Sequence, residues 1–114
     1  MNVLVNLTKG IVLSKRVQWA RSFFRRAIGL MFRKNYDGAL IFPIRGKTTF
    51  HGFFCRFPIL LICLKDNRVV CKKVLPPWGV EEVWGDTVIE MDARKHAPVD
   101  LGDTVVVLED RGGG

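Results

Sequence analysis

His51 is the side chain best suited to chemistry in this 114-residue chain, which holds only two histidines. It stands in Phe50-His51-Gly52-Phe53-Phe54-Cys55, where strand alternation predicts that His51, Phe53 and Cys55 share one face. An imidazole can pass protons near neutral pH or bind a metal through a ring nitrogen. Metal binding by this pair fails on reach, because His51 and Cys55 would stand roughly 13 Å apart in an extended strand, beyond one tetrahedral shell. A Cys/His nucleophile pair fails at the same distance unless the strand bends sharply. The plainer role for His51 is a partly buried ring bonded to a backbone carbonyl. The functional role is a ligand contact, with Trp78, Arg56 and Arg21 as its companions. Trp78 follows Pro76-Pro77, where an indole either packs as a lid or offers a stacking surface. Arg56 or Arg21 would hold an anionic group.

The remaining reactive residues say less. Cys55, Cys63 and Cys71 recur every eight residues, unlike the close pairs of zinc or redox motifs. They are expected to be three small apolar core residues of a reduced, cytoplasmic protein. Glu81, Glu82, Asp86, Glu90 and Asp92 are expected to form a solvated face with one acid inward, not an acid/base pair. No phosphate-binding glycine loop, serine-nucleophile elbow or zinc-protease motif is present, and neither a metal nor a cofactor is expected.

Positioning these residues falls to short elements. Residues 3–7 and 11–13 flank Thr8-Lys9-Gly10 and predict a hairpin, with Gly10 supplying positive φ. Ser14 is placed to cap a helix over residues 17–33, in which Ala20, Phe23, Phe24, Ala27, Ile28 and Met31 recur at helical spacing. The opposite arc carries Gln18, Arg21, Ser22, Arg25 and Arg26. Arg21, Arg25 and Arg26 are therefore candidates for binding phosphates or an anionic surface. Single-stranded nucleic acid also needs exposed aromatics, and those of the expected helix face inward, which counts against it. Beyond Gly38, residues 39–44, 48–56, 59–65, 68–75, 87–91 and 104–108 read as strands. Asp66-Asn67 reads as a tight hairpin connector, and residues 59–64, which lack polar alternation, as a strand covered on both faces. Trp78 and Trp84 are expected in one loop.

The arithmetic bounds the class. Area scaling gives roughly 6,300 Å² of folded surface against about 19,000 Å² unfolded, so one core buries about two-thirds. Residues 1–111 are expected to form one domain and residues 112–114 a flexible glycine tail. The longest apolar run is too short for a membrane helix, and the N-terminus lacks the basic region of a signal peptide. The net charge of +7 is lopsided: residues 1–50 carry ten Lys/Arg against one acid, and the rest carry eight against ten. That asymmetry favours an anionic partner, or simply solubility. One helix with about eight strands predicts an α+β fold, a strongly curved or partly closed barrel-like sheet.

Five segments stand in an order that resembles the family called domain of unknown function 192. They are Ala27-Ile28-Gly29-Leu30-Met31-Phe32-Arg33, Gly38-Ala39-Leu40-Ile41-Phe42, the run from Phe50 through Phe57-Pro58-Ile59, Pro77-Trp78, and Gly102-Asp103-Thr104-Val105. The resemblance covers roughly residues 16–108. It implies a small, strand-rich, barrel-like domain with one main helix, and no enzyme activity or catalytic residues to carry over. The chain departs from the family pattern near Gly52 and Cys55, where a methionine is usual, and at Leu60, where an acid is usual. Together these readings point to a non-enzymatic module that binds a ligand or protein. The alternatives are an enzyme on an anionic small molecule, with His51 as acid/base, and a nucleic-acid or anionic-surface binder using the cationic helix face.

Overall fold

The computed structural model describes residues 2–20, 30–31 and 33–109. Eight strands run in the order β1 (Asn2–Asn6), β2 (Ile11–Ser14), β3 (Val17–Trp19), β4 (Ala39–His51), β5 (Ile59–Lys65), β6 (Arg68–Leu75), β7 (Val80–Asp92) and β8 (Val105–Glu109). They form a three-stranded sheet, β2-β1-β8, and a five-stranded sheet, β3-β4-β7-β5-β6. All pairings are antiparallel except β3 with β4.

The strand β5 organises the interior. Ile59 through Leu64 are all buried, so side chains pointing either way leave water. Ile59, Leu61 and Cys63 join a cluster with Leu40, Phe42, Phe57, Val83 and Val88 on one face of the large sheet. Leu60, Ile62 and Leu64 join Ile41, Ile89 and Met91 on the other, where Leu4, Leu13 and Val105 of the small sheet cover them. Burying six such side chains contributes on the order of 10 kcal/mol before chain entropy is counted. The two sheets are stitched at one corner, where Val69 N–H donates to Asp103 O (2.9 Å) and Val105 N–H to Asn67 O (2.8 Å). Behind that corner, fully buried Asn6 donates to Asp103 Oδ2 (2.8 Å) and Pro98 O (3.1 Å).

The two expected hairpins form. Gly10 takes φ 66° in the β1–β2 turn, and Asp66 and Asn67 take 51° and 67° between β5 and β6. Two successive left-handed residues match the twist of the flanking strands.

The α+β expectation is corrected: the described residues contain no helix, and the sheet is not closed into a barrel. The expected helix over residues 17–33 begins as a strand. Val17 and Trp19 pair in parallel with Ala39 and Ile41. Ser14 does not cap a helix; its hydroxyl donates to Arg16 O (2.8 Å) and accepts from Arg16 N–H (3.2 Å), turning the chain into β3. Tertiary pairing with β4 overrides the helical spacing of apolar residues here. Residues 21–29, with Phe23, Phe24, Arg21, Arg25 and Arg26, lie outside the described residues, as do 110–114.

Three further expectations change. Residues 39–51 form one strand, not two, with a register shift between Pro43 and Gly46. Trp84 lies within β7 opposite Lys47, not in a loop. Cys63 and Cys71 form a disulfide across β5 and β6 with Cα atoms 5.0 Å apart, leaving Cys55 as a buried free thiol. The cytoplasmic expectation rested on three reduced thiols, and that support is gone. No helix among the described residues is long and apolar enough to cross a membrane.

Candidate functional site

At the end of β4 the chain leaves the sheet through Gly52 and meets the loop between β6 and β7. Gly52 N–H donates to Gly79 O (2.8 Å), and Trp78 N–H donates back to Gly52 O (2.7 Å). The two turns lie so close that a Cβ on Gly52 would collide with the carbonyl of Pro76. Glycine is required here by space.

This backbone clasp holds four rings together. His51 stacks on Phe53 (centroids 4.7 Å, 29° between planes), and Phe53 lies 6.0 Å from Trp78. Phe54 meets Trp78 at 4.7 Å and 60°. Phe53 N–H donates to His51 Nδ1 (3.3 Å), which places that nitrogen's lone pair toward the backbone. The rings are nonetheless wet: Phe53 is 40 % exposed, Phe54 47 % and Trp78 60 %. Phe54 and Trp78 both take left-handed backbone, φ 63° and 64°. That conformation costs roughly 1–2 kcal/mol for a residue with a Cβ. Exposed Val80 lies opposite His51 in the β4–β7 register. Lys73, paired with Glu81 (3.4 Å), is one residue before exposed Val74 on β6.

The structure thus joins two of the four residues expected at a ligand site, His51 and Trp78, with Phe53 between them. Arg56 is exposed on the next turn, and Arg21 lies outside the described residues. His51, Phe53 and Cys55 do not share a face, because the strand ends at His51: Cys55 is buried while His51 is exposed. Nor does His51 bond a carbonyl from a partly buried position. Burial, helped by the charge of Glu90, pushes the Cys55 thiol up to about 11, which makes it a poor nucleophile. Among the described residues no group of three or more His, Cys, Asp or Glu is placed to hold a metal.

Of the five acids from Glu81 to Asp92, two face inward, not one. Asp92 is 2 % exposed, and its carboxylate takes Nε and Nη2 of Arg94 (3.0 and 2.7 Å), which holds it below the usual carboxylate range. Glu90 is 6 % exposed in β7 between Leu40 and Leu61, and its Oε2 has no hydrogen-bond partner. Burial pushes its carboxyl up to about 8, so it stays protonated at neutral pH. The signal was partial: Val88, Ile89 and Met91 flank Glu90, but Thr87 and Asp92 break the apolar run that would mark a strand buried on both faces.

Two packed β-sheets presenting a cluster of exposed rings are the class that the described residues and the site define. The family model for domain of unknown function 192, described as "Uncharacterized ACR", matches residues 5–107. The chain belongs to this family. It is 36 % identical over 114 residues to a UPF0127 protein of Pyrococcus abyssi, covering 92 % of this chain and 97 % of that one. A UPF0127 protein of Pyrococcus furiosus is 39 % identical over 79 residues, 66 % of this chain and 68 % of the relative. Among solved structures, a protein of unknown function from Novosphingobium aromaticivorans is similar with a TM-score of 0.76 and 26 % identity, covering 93 % of this chain and 84 % of that one. A putative transcription regulator from Sinorhizobium meliloti shares the fold at a TM-score of 0.74 and 16 % identity, covering 93 % and 91 %.

Proposed function

We propose that this chain is a non-enzymatic binding module whose aromatic cluster, His51, Phe53, Phe54 and Trp78, docks into an apolar pocket on a protein partner. The observation that carries this reading is the pair of left-handed aromatic residues, Phe54 and Trp78, held by the backbone yet left in water. Phe54 keeps 47 % and Trp78 60 % of its surface in water, area that a partner's pocket would bury. Exposed Trp and Phe side chains are among the residue types enriched in binding hot spots and interface cores. The ring planes lie 29°, 32° and 60° apart, so the cluster is a knob and not a flat platform for a sugar or a run of bases.

The geometry weighs against an enzyme. His51 is exposed, its Nδ1 takes a backbone amide, and among the described residues no carboxylate orients its ring. Cys55 is buried with a raised pKa. A general base needs an orienting partner and a nearby reacting group.

Selection of a displayed peptide library against the intact chain tests the reading. Binders carrying apolar or aromatic side chains are expected, with affinity falling about 30-fold or more on Trp78→Ala. Binders indifferent to both Trp78→Ala and Phe54→Ala would overturn it. So would oligothymidylate binding at physiological salt that is lost with Trp78→Ala, which would make the rings a base-stacking surface.

A further inference from the structure

A second site lies away from the ring cluster. The turn after β2, the approach to β4 and the end of β7 enclose a cleft of about 520 Å³, a size that suits a small molecule. Its floor is apolar, made by buried Leu13, Met91 and Tyr36. Its rim carries Lys15, Arg16, Lys95 and His96, all exposed. The acids at the cleft offset the charge of Lys15, Arg16 and Lys95 only in part. Asp92 is engaged by Arg94, and Asp37 makes only an exposed pair with Lys95 (3.3 Å). Lys15 and Arg16 make no ion pair among the described residues. Arg33 sits over the Tyr36 ring (5.3 Å), adding a further cation beside the floor. Like charges gathered from separate segments repel one another, and an anion between them removes that cost.

We infer that this cleft binds a soluble small molecule with an anionic head, a phosphate monoester or carboxylate, on an apolar body. The head would lie between Arg16 and Lys95, and the body on Leu13, Met91 and Tyr36. An apolar floor under a cationic rim selects this chemistry over a bare inorganic anion, which gains nothing from the floor.

Phenyl phosphate is the probe, titrated into the isotope-labelled full chain in about 0.15 M NaCl while backbone amide shifts are followed. Saturable shifts confined to residues 12–16, 36–38 and 91–96 are expected, with affinity at least fivefold tighter than for inorganic phosphate. Arg16→Glu with Lys95→Glu should weaken binding at least tenfold, and the milder Lys15→Gln with Arg16→Gln at least threefold, with melting temperatures unchanged. Shifts that scatter over the basic surface without saturating would overturn the site. Equal affinity for the two phosphates would remove the role of the floor. Sedimentation with phosphatidylglycerol vesicles that depends on Arg16 and Lys95 would instead make the anion a lipid headgroup and overturn the soluble ligand.

Discussion

Replacing Glu90 by Gln removes a titratable group from the middle of the large sheet and keeps its shape. Glu90 lies between Leu40 and Leu61, 6 % exposed, and burial raises its carboxyl from the ordinary 4.5 to about 8. Below about pH 4.5 the folded and unfolded chains both hold the proton, and the group adds no slope. Between about 4.5 and 8 the unfolded chain releases a proton that the folded chain keeps. Stability therefore falls as pH rises through this window, by about 1.4 kcal/mol per unit. Across the 3.5 units between 4.5 and 8 the loss reaches about 5 kcal/mol, an upper bound because water entry lessens the burial penalty. Asp92 and Asp103 act in the opposite sense and at lower pH. Arg94 and Asn6 hold them down, so their stabilisation is present above about pH 4 and is lost as pH falls further. Urea unfolding in half-unit steps from about pH 4.5 to about 8.5 is the assay. The wild-type midpoint should fall steadily while that of Glu90→Gln stays nearly level, so the curves diverge at the alkaline end. Parallel curves, or a wild type that gains stability with rising pH, would refute the reasoning.

Three other perturbations separate the parts of the structure. Phe54→Gly loses an exposed ring but relieves left-handed backbone, so its stability should stay within about 1 kcal/mol of wild type by chemical denaturation, whereas buried Phe57→Ala should cost about 3–5 kcal/mol. A loss above about 2 kcal/mol for Phe54→Gly would mean that the ring is structural after all. Thiol titration of the denatured, unreduced chain should count one free cysteine, Cys55; three would show that Cys63 and Cys71 are not bonded. Reducing the bond should cost about 2–3 kcal/mol from loop entropy alone, read by urea unfolding with and without reductant. Gly52→Ala should destabilise by about 2 kcal/mol or more and change the near-ultraviolet signal of Trp78, because the new Cβ meets the Pro76 carbonyl. An unchanged signal would show that the clasp does not seat the rings.

Features set by neighbours along the chain are legible in the amino-acid sequence. Gly10 and Asp66-Asn67 announce turns through local backbone preference, and the apolar run of β5 announces burial on both faces. Features set by distant pairing are not. Residues 17–19 carry helical spacing, yet their amides and carbonyls are used by residues 39–41, a parallel contact that no local pattern encodes. The disulfide is a finer case. Counting back from Lys65 opposite Arg68, a regular hairpin places Cys63 against Val70. The irregularity between Cys63 and Leu64 adds one residue and brings Cys71 opposite instead. The candidate site is half legible. The sequence places His51 and Trp78 in one neighbourhood, but Phe53 and Phe54 read as strand residues because the end of β4 at His51 depends on the clasp with the Pro76 loop.

The proposal that the ring cluster is a docking element is tested most directly by calorimetric titration of one selected peptide into the wild type and into Trp78→Ala. The account predicts an affinity loss of about 30-fold or more with an unchanged melting temperature. Equal affinities for the two chains would contradict it.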